Sequence, residues 1–219
     1  MEQLRPGLWH WQAMHPEWTP DDYWPQQVSS YAIDDGTHLL LFDPLAVPAE
    51  LEQLAAERKP VVVLTSPWHE RDTQKLVDSL GVTVYAPPPD TPEDLMEKFG
   101  ITREQAGDGS PDLTWLRDND SIDNQWYSPS DRPLGLEVFA GRCDNDVILW
   151  DDAQRVVIAG DSLADFGEGL QIVPGWLPKG VTREQVVERL RSLLDKPIEL
   201  VLAAHGGPQD PAVLERALA

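Results

Sequence analysis

Val61-Val62-Val63-Leu64-Thr65-Ser66-Pro67-Trp68-His69-Glu70-Arg71-Asp72-Thr73 is the stretch whose reading decides the fold. Its first four residues form an apolar, mostly β-branched run, the pattern of a strand buried on both faces. At Thr65 the composition turns polar. Ser66 followed by Pro67 makes an N-cap and first-turn pair, and Leu76, Val77 and Leu80 recur at helical spacing, so a helix is predicted to begin close behind the strand, near Ser66. In α/β proteins such a strand-to-helix junction is where side chains and free N–H groups meet a ligand. The functional site is expected there.

Working outward, Ser29 to Ile33, the turn Asp34-Asp35-Gly36 and His38 to Phe42 read as a β-hairpin that ends at Asp43-Pro44. Ahead of it, Leu8 to Tyr31 reads as an early strand and an irregular loop packed down by its aromatics. Ala49 to Arg58 carries Leu51, Leu54 and Ala55 on one face and is predicted helical. Val82 to Tyr85 is a short strand, and Thr91 and Thr102 each open a helix through a capping pattern. Between Gly107 and Pro133 the signal weakens into turns, read as an insertion with little regular structure.

Leu136 to Ala140, Val147 to Trp150 and Val156 to Ala159 return to strands. Thr182-Arg183-Glu184-Gln185 is a capping box for an amphipathic helix bearing Val186, Val187, Leu190, Leu193 and Leu194. Leu200 to Ala204 is a last buried strand, His205-Gly206-Gly207 its exit, and Asp210-Pro211 the cap of a terminal helix. Hairpins followed by strand–helix units in each half predict an α/β (α+β) chain folded as a four-layer αβ/βα sandwich. Residues 1–219 are read as one domain, long enough to bury a substantial core.

The formal net charge of −21 sets a repulsive field against phosphate backbones and anionic membrane surfaces, so neither is expected as a partner. The lone Cys143 excludes an intramolecular disulfide and a thiolate metal cluster within the chain. After Arg142 it could be an activated thiolate or simply a buried thiol. The sequence begins without a basic segment ahead of an apolar one, and no apolar run is long enough to cross a bilayer, so a cytoplasmic location is expected.

At its central junction the chain resembles the metallo-β-lactamase superfamily, whose motif follows an apolar strand as Thr-His-x-His-x-Asp-His and supplies ligands for one or two metal ions. With Thr65 on the family threonine, the ligand positions fall on Ser66, Trp68, Glu70 and Arg71, and His69 takes a spacer position. Two further landmarks stand in order: Val156 to Asp161 matches the strand that ends in Gly-Asp, and His205-Gly206 the late strand-end histidine. The Gly-His between them is here Gly141-Arg142. Asp43 stands where the family commonly ends a strand with an aspartate. The resemblance implies the αβ/βα fold and a site built from Ser66, Trp68, Glu70, Arg71, Arg142, Asp161 and His205.

A zinc site needs neutral imidazoles and carboxylates with open lone pairs, whereas guanidinium has no acceptor and keeps its proton. Three arrangements remain open. Arg71–Asp161 and Arg142–Glu70 can form a salt-bridge network in place of a metal centre. The arginines can instead grip a small anionic ligand. Or Glu70, Asp161 and His205, with His69 or His15, can hold a single zinc or other divalent ion. The expectation is a binding or non-catalytic member without a metal cofactor. The alternative is a hydrolase of a small ester, amide or thioester with a reduced metal site. Candidate acid–base groups are His69, Asp161 and His205. Trp9, Trp11, Trp18, Trp24 and Trp68 could wall an apolar pocket or replace aliphatic core. The oligomeric state is not readable.

Overall fold

A computed structural model describes residues 1–107, 109, 113–119 and 122–219. The strands are β1 (Glu2–Arg5), β2 (Leu8–Met14), β3 (Gln27–Asp34), β4 (His38–Phe42), β5 (Lys59–Val63), β6 (Thr83–Ala86), β7 (Asn124–Trp126), β8 (Glu137–Cys143), β9 (Asp146–Asp151), β10 (Val156–Ala159), β11 (Leu200–Ala203) and β12 (Gly207–Gln209). The helices are α1 (Ala49–Ala55), α2 (Thr73–Leu80), α3 (Pro92–Phe99), α4 (Arg103–Ala106), α5 (Thr114–Arg117), α6 (Arg183–Leu190) and α7 (Pro211–Ala217). Among the described residues, β1 to β7 form one sheet in sequence order, and the second runs β12-β11-β10-β9-β8. Pairing is antiparallel from β1 to β4, parallel from β4 to β7, and parallel again between β10 and β11.

The layers follow from the two-residue period of each strand. Leu40, Phe42, Val61 and Val63 of the first sheet face Val147, Leu149, Val156 and Ile158 of the second, and together they fill the central layer. Their neighbours Leu39, Leu41, Val62 and Leu64 point outward and are covered by Leu51 and Ala55 of α1 and Leu76 of α2. On the far side, Val157, Ala159, Val201 and Ala203 meet Val186, Val187 and Leu190 of α6 and Leu214 of α7. The result is the αβ/βα sandwich. Among the described residues no helix is long and apolar enough to cross a membrane.

Polar links tie the sheets together at one end. Ser29 N donates to Ala204 O at 2.8 Å, Val147 N to Thr65 O at 2.9 Å and the buried Tyr31 hydroxyl to Ala203 O at 2.8 Å. Each makes a hydrogen bond where a buried backbone group would otherwise be unpartnered. This end carries the exits of β4, β5, β10 and β11.

The structure departs from the sequence reading in three places. The helix expected near Ser66 starts at Thr73, because Ser66 to Asp72 form an irregular loop in which Arg71 takes a left-handed φ of 48°. That conformation is uncommon outside glycine and breaks a helix before it can run. The stretch 107–133 contains α5 and β7, and β7 extends the first sheet in parallel with β6. Within that stretch, residues 108, 110–112, 120 and 121 lie outside the described residues. Finally, α6 tightens after Leu190 into a 3-10 turn over Arg191–Asp195, which buries Leu193 but leaves Leu194 41% exposed.

The capping predictions hold for the helices behind Thr91, Thr102 and Thr182. In each, the threonine side chain accepts from the backbone N–H three residues on, and the reciprocal bond is present.

Candidate functional site

Four strand ends and one turn deliver the polar groups. Asp43 closes β4, Thr65 follows β5 by two residues, Asp161 follows β10, His205 follows β11, and Arg142 to Asp146 span the β8–β9 turn. Asp43 is buried at a φ of 45° and is held by three donors. Thr65 N donates to its Oδ1 at 2.8 Å, the Thr65 hydroxyl to its Oδ2 at 2.6 Å, and His69 Nδ1 lies 3.0 Å from the same Oδ2. The other ring nitrogen, His69 Nε2, lies 3.0 Å from Asp161 Oδ1.

An imidazole with a carboxylate oxygen against each nitrogen donates at both, which requires the cation. Burial on its own would depress the His69 pKa, but the charges of Asp161 and Asp43 outweigh it and hold the ring up at about 9. Burial likewise pushes both carboxylates toward neutrality. The His69 charge, joined by Arg142 at Asp161, pulls each below its usual value.

Arg142 is 5% exposed. Its Nε lies 2.5 Å from Asp146 Oδ2, its Nη2 donates to Asp161 Oδ2 at 2.9 Å and its Nη1 to Trp176 O at 3.1 Å. The guanidinium also lies over the rings of Trp68, at 5.1 Å, and Trp176, at 5.5 Å. Asp146 is fully buried and also accepts from the Ser162 hydroxyl at 3.1 Å. Desolvation raises its pKa to about 6 against the pull of Arg142. Glycines make room for this packing. A Cβ on Gly141 would sit 1.9 Å from Ser162 Oγ, and one on Gly160 2.8 Å from Thr65 Oγ1.

Arg71 turns inward through its left-handed backbone. Its Nη1 donates to Ser29 O at 2.8 Å and Asp43 O at 2.6 Å, and so ties the loop to the ends of β3 and β4. His205 Nε2 lies 3.4 Å from Asp161 Oδ1, and burial lowers its pKa, so its ring is neutral. These groups floor a cavity of about 290 Å³ walled by Trp24, Trp68 and Trp176. Trp24 meets His205 edge-on at 5.1 Å and Trp176 meets it at 5.3 Å.

Of the residues singled out in the sequence, His69, Arg71, Arg142, Asp161, His205 and Trp68 come together here, with His15 at the rim. Two do not join them. Ser66 is buried beneath the loop, where its hydroxyl accepts from Trp68 N at 3.3 Å. Glu70 Oε1 accepts from Gln74 N at 3.1 Å and caps the start of α2. The ion pairs therefore differ from those expected: Arg142 pairs with Asp161 and Asp146 instead of Glu70, and Arg71 binds main-chain carbonyls instead of Asp161.

Among the described residues, the His, Cys, Asp and Glu atoms placed to share a metal ion are those of His69, Asp161 and His205, all within 4.8 Å of one another. Glu70 is not in that set. Cys143 is buried and its thiol is pushed up to about 12, chiefly by desolvation, so it is inert. Of the expected tryptophan wall, Trp11 instead sits in the outer core and donates to Leu45 O at 2.7 Å. Trp9 packs beside that core, and Trp18 donates to Trp24 O at 2.8 Å, bracing the loop.

Sequence reasoning missed Asp146 and Trp176. Asp146 opens a strand behind a turn, where an aspartate ordinarily faces solvent, and nothing local marks it as buried. Trp176 follows Pro174-Gly175 in a long loop, and its aromatic ring was the only available signal.

No family model and no curated protein sequence matches the chain. Solved structures do. The DIM-1 metallo-beta-lactamase superposes with a TM-score of 0.63 at 13% identity, covering 99% of this chain and 94% of its own. A metallo-beta-lactamase from Erythrobacter litoralis gives 0.62 at 12% identity, covering 99% and 89%. TTHA1623, solved in a di-iron-bound form, gives 0.56 at 22% identity, covering 91% and 98%. At such identities the likeness establishes architecture, over almost the whole chain: this protein has the metallo-β-lactamase fold.

Proposed function

We propose that this chain is a non-catalytic, metal-independent protein of the metallo-β-lactamase fold, whose polar end binds a small anionic ligand. One observation carries the reading: His69 bridges Asp43 and Asp161 through both ring nitrogens, 3.0 Å from each. A divalent ion needs a lone pair on that imidazole and would have to displace the proton that Asp161 and Asp43 stabilise there. Asp161 is equally committed, with His69 and His205 at one oxygen and Arg142 at the other. His69, Arg71 and Arg142 supply three positive charges against Asp43, Asp146 and Asp161. The residues present thus do not fit the metal centre that the fold implies, since cations already stand where its charge would be.

A second reading, a hydrolase of a small ester, amide or thioester with a reduced metal site, is favoured by the placement of His69, Asp161 and His205 within 4.8 Å. Thermal unfolding with added Zn²⁺, Fe²⁺ or Mn²⁺, and with EDTA, separates the two. The proposal expects the same melting point in every condition. A rise with one metal that EDTA reverses, accompanied by ester hydrolysis, supports the second reading and overturns the first.

A further inference from the structure

Two guanidiniums line the aromatic cavity, and they are not equivalent. Arg142 has two carboxylate partners: its Nε lies in ion-pair range of Asp146, though without a hydrogen bond of good geometry, and its Nη2 donates to Asp161, while Nη1 donates to Trp176 O and two indole faces cover the group. Arg71 spends Nη1 on the carbonyls of Ser29 and Asp43, while its Nη2 makes no hydrogen bond among the described residues. No carboxylate among them lies within 4.0 Å of it. Its Nε is buried without an acceptor. Asp43 and Asp161 act on it only through space, and desolvation leaves its pKa lowered. A guanidinium with no carboxylate partner, partly buried at the edge of a cavity and with Nη2 as its open donor, has the chemistry of a carboxylate receptor.

The rest of the cavity says what the carboxylate is attached to. Trp24, Trp68 and Trp176 form the walls, and such surfaces take flat apolar bodies. The volume of about 290 Å³ lies at the lower limit for small-molecule sites, room enough to seat one ring. The protein's net charge of −21 disfavours any bare anion at long range, so the ring and not the charge must supply most of the affinity. Resting on the metal-independent reading above, we propose that the cavity binds a single-ring aromatic carboxylate, its carboxylate on Arg71 Nη2 and its ring against Trp24, Trp68 and Trp176.

Benzoate is the probe, with benzamide as the uncharged isostere and acetate as the charge without the ring. All three are titrated into chelator-treated protein of measured metal content, with tryptophan fluorescence and melting point as readouts. Benzoate is expected to quench the indoles and raise the melting point saturably, and benzamide and acetate to bind at least tenfold more weakly. Trp24→Ala, which removes a loop side chain, should fold normally and weaken benzoate at least tenfold. Arg71→Gln, which removes the charge, should erase the preference for benzoate over benzamide, whereas Arg71→Lys, which keeps it, should retain part of that preference. A metal-free protein on which benzoate behaves as benzamide does, or a Trp24→Ala variant with unchanged affinity, overturns the ligand class and leaves the metal-independent reading standing. Benzoate binding that disappears with the metal on chelation overturns the metal-independent reading itself, and with it the role of Arg71.

Discussion

Replacing Arg142 by alanine strips two buried carboxylates of their guanidinium partner. The substitution removes the Nε contact to Asp146 at 2.5 Å, the Nη2 bond to Asp161 at 2.9 Å and the stacking on Trp68 and Trp176. Asp161 keeps His69 and His205. Asp146, fully buried, is left with the Ser162 hydroxyl. Removing one partner of a buried ion pair costs about 3–5 kcal/mol, because the other charge stays dehydrated. For a chain of this length each kcal/mol is worth about 2–4 °C, so the melting point should fall by roughly 6–20 °C.

The loss should also depend on pH. The Asp146 carboxyl titrates at about 6 with the arginine present, and without it moves further up. An acid whose folded pKa is raised binds protons more tightly in the native state, so its penalty falls as pH drops below that value. The deficit measured by urea unfolding is therefore expected to be larger at about pH 8 than at about pH 5. Adding Asp146→Asn should recover a large part of it. A variant within about 1 kcal/mol of the parent at both pH values would refute the reasoning, since Arg142 would then not be neutralising buried carboxylates.

Three further outcomes are expected. His69 titrates at about 9 when folded against 6.5 unfolded, so its stabilisation is complete below pH 6.5 and is lost as pH rises through 9, a change of roughly 3 kcal/mol. Urea unfolding across that window measures it, and a flat profile would mean that the ring is neutral. Gly141→Ala puts a methyl 1.9 Å from Ser162 Oγ and 2.5 Å from Asp146 O. It should destabilise by about 1–3 kcal/mol or more, and a neutral effect would mean that the β8–β9 turn yields. Leu193→Ala should cost about 2–5 kcal/mol in a thermal melt and Leu194→Ala well under 1, because only the former is buried in the 3-10 turn.

The sandwich was legible because its strands state their burial outright. Val61 to Leu64 and Val156 to Ala159 are apolar at every position and mostly β-branched, the pattern of short strands covered on both faces. Asp161 and His205 were legible for a related reason, since polar residues directly after such strands have to emerge at a sheet end. The fate of Ser66 to Asp72 was not. Helical spacing downstream and a good N-cap pair argued for a helix at Ser66, and the left-handed Arg71 that defers it carries no glycine to announce it. That single backbone choice turns Arg71 and His69 inward and leaves Glu70 in the loop, accepting from Gln74 N at the start of α2. Asp146 was unreadable because its burial depends on Arg142, which lies four residues earlier in sequence and reaches it across a turn. The order of the landmarks fixed the place of the site, while its pairing was set by side-chain reach across loops.

The central claim is that protonated His69 with Arg71 and Arg142 stands in for metal charge at the junction of the sheets. Elemental analysis tests it most directly, on protein expressed in medium supplemented with zinc, iron and manganese, purified without chelator and dialysed. The expected result is far less than one equivalent of any of these metals per chain, because the His69 and Asp161 atoms that could bind one are already bonded to each other and to Arg142. One equivalent of zinc, iron or manganese retained through dialysis would contradict the account.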